Sequence, residues 1–392
     1  MSYYIGLMSG TSMDGIDVAI LEPISQRLIA GQTYRYSSEV QALLLASSQS
    51  NQVRIADLLR LNTLLGQAFA QSVLAILSDS GISKQQIAAI GSHGQTICHD
   101  TSGTVPYTLQ LGCAHTIAEL TGLPVVADFR TRDLVVGGQG APFAPLYHQV
   151  LFAAETRPLA VVNIGGIANV SFLSKNMLAG YDTGPGNCLL DFWIQQQLGH
   201  PYDQAGEWAA SGQVNEELLA SFLSDPYFQM AAPKSLGKEY FSLAWLAPHL
   251  QQVFGISSQW LLETATAKHP VIDDAMARDV QATLVALTVV SIRQAVLSAP
   301  ELIHRVMLCG GGAHNKTLVA ELQRQLPACV VKSTEAIGIS PDFIEAMMFA
   351  WLAEKTMQQT PVALGAITGA KKPAILGAIY APGIDKSNSY KV

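Results

Sequence analysis

Asp14 and Asp17 stand in the stretch Gly10-Thr11-Ser12-Met13-Asp14-Gly15-Ile16-Asp17, whose remaining members are mostly small or hydroxylated. Glycines let a backbone approach a ligand closely, and exposed N–H groups in such a turn cradle an anion. Thr11 and Ser12 add hydroxyl donors. The two carboxylates would repel a phosphate directly, so a phosphate site here calls for Mg²⁺ between, a cation that takes oxygen ligands and keeps waters. Asp14 and Asp17 are then expected to hold it through water. Gly10 and Gly15 have the spacing of the first glycines of a P-loop, but Ile16 and Asp17 follow where Lys and Ser/Thr are required, which excludes that loop. The same residues also suit a plain hairpin turn.

Two further glycine turns carry similar chemistry. Gly165-Gly166 lies between Asn163 and Asn169. Cys309-Gly310-Gly311-Gly312-Ala313-His314-Asn315 follows the apolar run Val306-Met307-Leu308. Three glycines after a strand let the backbone pack flat against an adenine or a ribose, with His314 and Asn315 shaping the turn; they also suit an ordinary strand-to-helix connection. Asp182 precedes Thr183-Gly184-Pro185-Gly186, which predicts a strand end, where it is either a turn residue or a general base. Arg130 sits between Asp128 and Asp133, so its guanidinium suits either a ligand carboxylate or an ion pair with one of those two. His93 is either a hydrogen-bonding residue for a ligand oxygen or a structural histidine. Glu345 is an acid in the first turn of a late helix, where the helix dipole favours it.

The elements that must position these residues are legible in outline. Tyr3–Met8 and Ile16–Leu21 flank the first turn as a predicted β-hairpin, and Leu159–Ile164 with Val170–Leu173 flank the second. So long a repeat is no solenoid and fits two related domains in tandem. Between the hairpins, Ile55, Leu58, Leu59, Leu65, Phe69, Val73 and Ile76 recur at helical spacing and predict a helix over 54–77. Ser340-Pro341-Asp342 reads as a helix start, with Ser at the N-cap and Pro at the first helical position. Phe343, Met347 and Trp351, with Ile344, Met348 and Leu352, make that helix amphipathic and carry it to Thr356. Alternating strands and helices make the class α/β.

Composition narrows the partners. The chain has 392 residues, 49% of them hydrophobic and 14% charged, which is room for two domains with their own cores. A formal charge of −7 with no Lys/Arg cluster argues against nucleic acid. Five scattered cysteines without a C-x-x-C pair argue against a disulfide scaffold or a structural zinc. The apolar stretch Ala282–Ile292 is too short for a bilayer and reads as a buried helix. No basic n-region and apolar h-region open the chain, so the expectation is a cytoplasmic protein without a membrane partner.

The order of the three glycine turns resembles the superfamily of sugar kinases and actin. That resemblance implies two duplicated actin-like (ribonuclease H-like) domains around an ATP and substrate cleft, with the hairpins holding the phosphates and the late glycine turn holding adenosine. Domain I is expected over 1–130 plus about 360–392, and domain II over about 131–359. The local wording is similar to the anhydro-N-acetylmuramic acid kinase family. The matching blocks are Gly6–Asp17, Gly91-Ser92-His93-Gly94-Gln95-Thr96, Asp128-Phe129-Arg130, Gly138-Gln139-Gly140-Ala141-Pro142, Asn163–Asn169, Asp182–Asn187, Gly310–Asn315 and Asp342–Ala346. One block departs: in Lys234–Phe241 the family more usually has Thr at 236 and Arg at 238, where this chain has Leu236 and Lys238.

The resemblance implies a reaction. Such an enzyme opens the 1,6-anhydro ring of 1,6-anhydro-N-acetylmuramic acid with water and phosphorylates O6 from ATP with Mg²⁺, giving N-acetylmuramic acid 6-phosphate and ADP in cell-wall recycling. Asp182 is implied as the catalytic base. Gly10, Thr11, Ser12, Met13, Asp14, Gly15, Ile16, Asp17, Asn163, Gly165, Gly166, Gly310, Gly311, Gly312 and Asn315 are implied for the nucleotide. Arg130, His93, Gln95, Gly140 and Glu345 are implied for the sugar. A homodimer is the implied assembly. Two other readings stay open on the residues alone: another actin-fold kinase acting on an ordinary sugar hydroxyl, and a non-catalytic ATP-gated binding module.

Overall fold

The computed structural model describes residues 2–10, 13, 15–49, 52–232, 234–236, 240–257 and 272–383. The chain divides into two compact units, unit 1 of residues 1–147 and 343–392 and unit 2 of residues 148–342. The crossings thus fall at Tyr147/His148 and Asp342/Phe343, where the sequence reading put them near 130 and 360.

In unit 1 the strands are β1 (Tyr3–Ser9), β2 (Gly15–Glu22), β3 (Arg27–Arg35), β4 (Ile87–Asp100), β5 (Tyr107–Leu111) and β6 (Val125–Ala127). Unit 2 contains β7 (Leu159–Ile164), β8 (Ile167–Leu173), β9 (Leu178–Pro185), β10 (Arg305–Cys309) and β11 (Val330–Ser333), and β12 (Ala378–Tyr380) returns to unit 1. The first sheet runs β12-β6-β4-β1-β2-β3 with β5 on β4, and the second runs β11-β10-β7-β8-β9. The pairing signs match as well. β1-β2-β3 and β7-β8-β9 are antiparallel meanders. β4 and β6 add parallel to β1, as β10 and β11 add parallel to β7. The duplication expected from two hairpins is therefore a duplication of a whole five-strand topology. The parallel additions need long crossovers, and helices supply them.

Unit 1 buries Leu7, Ile16, Val18, Leu65, Phe69, Val73 and Ile90 in one core. The helix Ile55–Ser80 feeds this core and stops at Gly81, whose φ of 66° is the left-handed cap that glycine adopts without strain. Its predicted stripe is partly wrong. Leu65, Phe69, Val73 and Ile76 are buried with Leu61, whereas Ile55 and Leu59 are 75% and 62% exposed. The first turn overhangs the core, so periodicity continued past the end of the buried face.

The late helix differs more. It begins at Ile344, capped by Phe343 with no side-chain hydrogen bond, and ends at Met357. Ser340-Pro341-Asp342 does not start it. The Pro341 carbonyl accepts from the Gly310 N–H at 2.9 Å, and Asp342 accepts from His314 Nε2 at 2.8 Å, so these residues belong to unit 2. The helix is also not amphipathic: Ala346 through Ala353 are all buried. It packs on β1 and β4 of unit 1. A Cβ on Gly6 would lie 1.7 Å from the Ala346 carbonyl oxygen, and one on Gly91 2.0 Å from that of Phe349. Glycine at both sites lets helix and sheet backbones touch, which is why the helix is a unit 1 element.

In unit 2 the 24-residue helix Asp274–Leu297 packs on β8 and β9. It is more than twice the stretch expected from Ala282–Ile292. By length and hydropathy this helix and Ile55–Ser80 could each cross a membrane, but 78% of the apolar window of Asp274–Leu297 is buried inside the protein, as in a core helix.

Candidate active site

In unit 1 the first glycine turn is braced from beneath. Ser9 Oγ accepts from the Tyr36 hydroxyl at 2.8 Å and lies 2.9 Å from the Gly15 carbonyl and 2.7 Å from Gln95 Oε1. Gln95 Nε2 donates to the Gly10 carbonyl at 3.2 Å. Gln95, expected at the sugar, is buried and ties the start of the turn, at Ser9 and Gly10, to β4. Met13, at φ 55°, and Ile16 are buried too, so their side chains belong to the core and only their backbone can serve a nucleotide. Gly15 has no room for a side chain: a Cβ would stand 2.9 Å from the Tyr34 carbonyl oxygen. Thr11, Ser12 and Asp14 lie outside the described residues, as does Lys238.

Four of the expected residues converge elsewhere in this unit. Arg130, near the start of the short helix Phe129–Val135, donates Nε–H to His93 Nε2 at 3.0 Å and a terminal N–H to the Gly140 carbonyl at 3.3 Å. His93 Nδ1 bonds the Gly94 carbonyl at 2.9 Å. Both ring nitrogens are thus engaged by protein, and the Nδ1–H tautomer follows. Burial, with the charge of Arg130, holds His93 far below the usual histidine range. A buried neutral His93 orients Arg130 and has no nitrogen left for the sugar oxygen expected of it. Neither Asp128 nor Asp133 pairs with Arg130 among the described residues. Asp133 instead accepts from the Gly140 N–H at 2.7 Å and the Thr368 hydroxyl at 3.0 Å, fixing the Gly140 peptide whose carbonyl Arg130 uses. Burial lowers the Arg130 guanidinium to about 10, against the pull of Glu345.

Glu345 faces that cation. Its carboxyl is raised, first by burial and then by Asp17, with Arg130 opposing. Asp17 accepts from the Thr33 hydroxyl at 2.6 Å. The sequence had these three charges far apart. The sheet and the late helix bring them together.

In unit 2, the second hairpin turns tightly, with β8 already begun at Ile167. The Gly166 carbonyl accepts from the Gly186 and Cys188 N–H groups, and the Gly165 carbonyl accepts from the Asn187 N–H at 2.8 Å. Asn187 Nδ2 adds a bond to the Ile164 carbonyl at 3.0 Å. With the carbonyls held on one side, the N–H groups of Gly165 and Gly166 find no partner among the described residues, an arrangement that suits an anion. The third turn packs directly on this hairpin. Gly310 has φ 75°, and a Cβ there would stand 2.3 Å from Asn163 Oδ1; one on Gly312 would stand 2.2 Å from Ile164 Cγ2. Gly311 is the exposed member of the turn. Asn315 caps the helix Lys316–Gln325 by accepting from the Leu318 N–H at 3.0 Å. Its role is to end the turn.

Asp182 lies inside β9, three residues short of its end. One carboxylate oxygen accepts from the Leu236 N–H at 2.9 Å. Burial pushes the carboxyl up to about 6, with that one bond opposing. The departure at 236 therefore leaves this contact intact, because the main chain makes it. Missed by the sequence reading were Tyr36 and Ser9, which brace the turn, the tie of Asp133 to Gly140 and Thr368, and Tyr227, which touches Asp182 from 45 positions away. Asn187 stood in a quoted block without a role.

The sequence profile described as anhydro-N-acetylmuramic acid kinase matches residues 2–382. A protein of that name from Legionella pneumophila strain Corby is 54% identical over 381 residues, spanning 97% of this chain and 98% of its own length. Its counterpart from strain Philadelphia 1 shows the same values. Component A of the (R)-2-hydroxyglutaryl-CoA dehydratase of Acidaminococcus fermentans is a more distant likeness, with a TM-score of 0.45 and 12% identity over 90% of this chain and 97% of that one. By the extent and identity of the sequence match, the chain belongs to the anhydro-N-acetylmuramic acid kinase family.

Proposed function

We propose that the protein is an ATP-dependent kinase that adds water across the 1,6-anhydro bridge of 1,6-anhydro-N-acetylmuramic acid and phosphorylates O6, giving N-acetylmuramic acid 6-phosphate and ADP. Family membership supports the substrate. The observation that carries the chemistry is Asp182: a half-buried carboxyl near 6, held by the Leu236 N–H, is ionised at neutral pH yet still a competent proton acceptor. In this reading Asp182 takes a proton from the water that attacks the anomeric carbon. The C1–O6 bond breaks as the C1–OH bond forms, and O6 receives the γ-phosphoryl group, so O6 needs no base of its own.

The other roles follow from charge. The Arg130 guanidinium, pre-oriented by His93, suits the lactyl carboxylate of the sugar. Glu345 accepts a sugar hydroxyl. The N–H groups of Gly165 and Gly166 suit a phosphate, and the bare backbone of Gly310–Gly312 suits adenosine. For Mg²⁺ the residues fit: Asp17, expected with Asp14 to hold the ion through water, would offer the hard oxygen it prefers, and a cation there would relieve the repulsion between Asp17 and Glu345. Bound with the nucleotide, Mg²⁺ supplies charge neutralisation at the phosphates.

Incubation with ATP, Mg²⁺ and the anhydro-sugar in ¹⁸O-water tests the proposal. It requires label at C1 and phosphate on O6 of the same product. Phosphate transfer without ring opening would move the reading to a kinase of an ordinary hydroxyl.

A further inference from the structure

β9 is the edge of its sheet, and an edge strand presents one row of main-chain groups that the sheet cannot pair. Asp182 stands opposite Asn169 in the ladder with β8. In an antiparallel pair a residue either exchanges both hydrogen bonds with its partner or sends both outward. Asp182 sends both outward. Its N–H donates to the Lys234 carbonyl at 3.1 Å, and its carbonyl accepts from the Tyr227 hydroxyl at 2.5 Å. The peptide groups that carry the base are thus held by two residues of a distant segment.

Tyr227 is itself held firmly within that segment. Tyr227 is 2% exposed, and its ring packs on Phe228, Tyr240 and Phe241. Lys234 Nζ donates to the Tyr227 carbonyl at 2.9 Å and lies 4.3 Å from the centre of the Tyr227 ring, a cation–π contact. Leu236, two residues on, donates its N–H to the carboxylate at 2.9 Å. Three contacts from residues 227–236 therefore converge on one aspartate: one to its N–H, one to its carbonyl and one to its carboxylate.

We infer that Tyr227 is a positioning residue for the reaction, fixing through its hydroxyl the edge-strand peptide that aims the Asp182 carboxylate, with Lys234 as the strut that fixes Tyr227. The inference rests on the assignment of Asp182 as base. Misplacing a reacting group by about 1 Å costs up to about 100-fold in rate, so one hydroxyl acting on this peptide is worth more in turnover than in stability.

Tyr227→Phe removes only that hydroxyl. The expected result is a kcat about tenfold lower with an unchanged KM for ATP, and the same split for Lys234→Met. A purely structural role would lower the Tm and leave kcat per folded enzyme alone. Hydrogen exchange gives a second readout that needs no turnover: in Tyr227→Phe the Asp182 amide should exchange faster while the β7 amides stay as in the wild type. A kcat within twofold of wild type, or unchanged exchange at Asp182, would overturn the inference while the functional reading stands. A wild-type protein that does not turn over the anhydro-sugar would overturn both.

Discussion

Arg130 Nε–H points at His93 Nε2 across 3.0 Å, and His93 in turn gives its Nδ1–H to the Gly94 carbonyl. The pair works only while the imidazole is neutral, because a protonated ring has no lone pair for the guanidinium. Its tilted stack on Phe349, with centroids 4.7 Å apart, keeps water from the ring.

His93→Phe keeps that stack and removes the acceptor. The KM for the anionic sugar should rise about tenfold, the value of one hydrogen bond to a charged group, while the KM for ATP stays constant. Initial-rate kinetics in both substrates check it. An unchanged sugar KM would mean that Arg130 does not depend on His93 for its aim.

Asp182 sets the pH dependence. The base acts ionised, so kcat should fall as pH drops through about 6, and Asp182→Asn should abolish turnover while ATP still binds. Stability carries the opposite sign. The folded carboxyl holds its proton above the ordinary Asp range, so its stabilising contribution is complete below about pH 4 and is lost as pH rises through the folded value. The Tm of Asp182→Asn relative to wild type should therefore be higher at pH 8 than at pH 4, as calorimetry can measure.

Gly310→Ala tests the third turn. The new Cβ meets Asn163 Oδ1 at 2.3 Å on a backbone with φ 75°. The strain is about 1–3 kcal/mol, and it falls on the wall offered to adenosine. Titration calorimetry with a non-hydrolysable ATP analogue should show about tenfold weaker binding. Wild-type affinity would remove this turn from the nucleotide site.

Gly6→Ala and Gly91→Ala test the helix–sheet contact in unit 1. Each places a methyl against a helix carbonyl at 2.0 Å or less, a clash that must move the Ile344–Met357 helix. Each should cost about 3 kcal/mol, seen as a Tm lower by about 5–10 °C. Because Glu345 rides on this helix, sugar affinity should fall further than ATP affinity.

The amino-acid order by itself determined the hairpins, the glycine turns, the α/β class and the family, because these depend on neighbours in the chain: alternation, turn chemistry and contiguous wording. It also singled out Asp182, Arg130, His93 and Glu345 by type. It could not say what each does. Arg130 was open between a ligand and an ion pair with Asp128 or Asp133; only folding showed Asp133 spent on Gly140 and Thr368, and Arg130 aimed by His93. Gln95 read as a sugar contact and is a brace, because its partners Ser9 and Gly10 lie at and just past the end of the neighbouring strand. The start of the late helix was misread because Ser340-Pro341-Asp342 has a capping sequence while its hydrogen bonds are claimed by Gly310 and His314. Burial decided the rest. A carboxyl near 6 at Asp182 and a raised one at Glu345 are properties of the surrounding atoms, which come from segments tens to hundreds of residues away and have no mark in the local sequence.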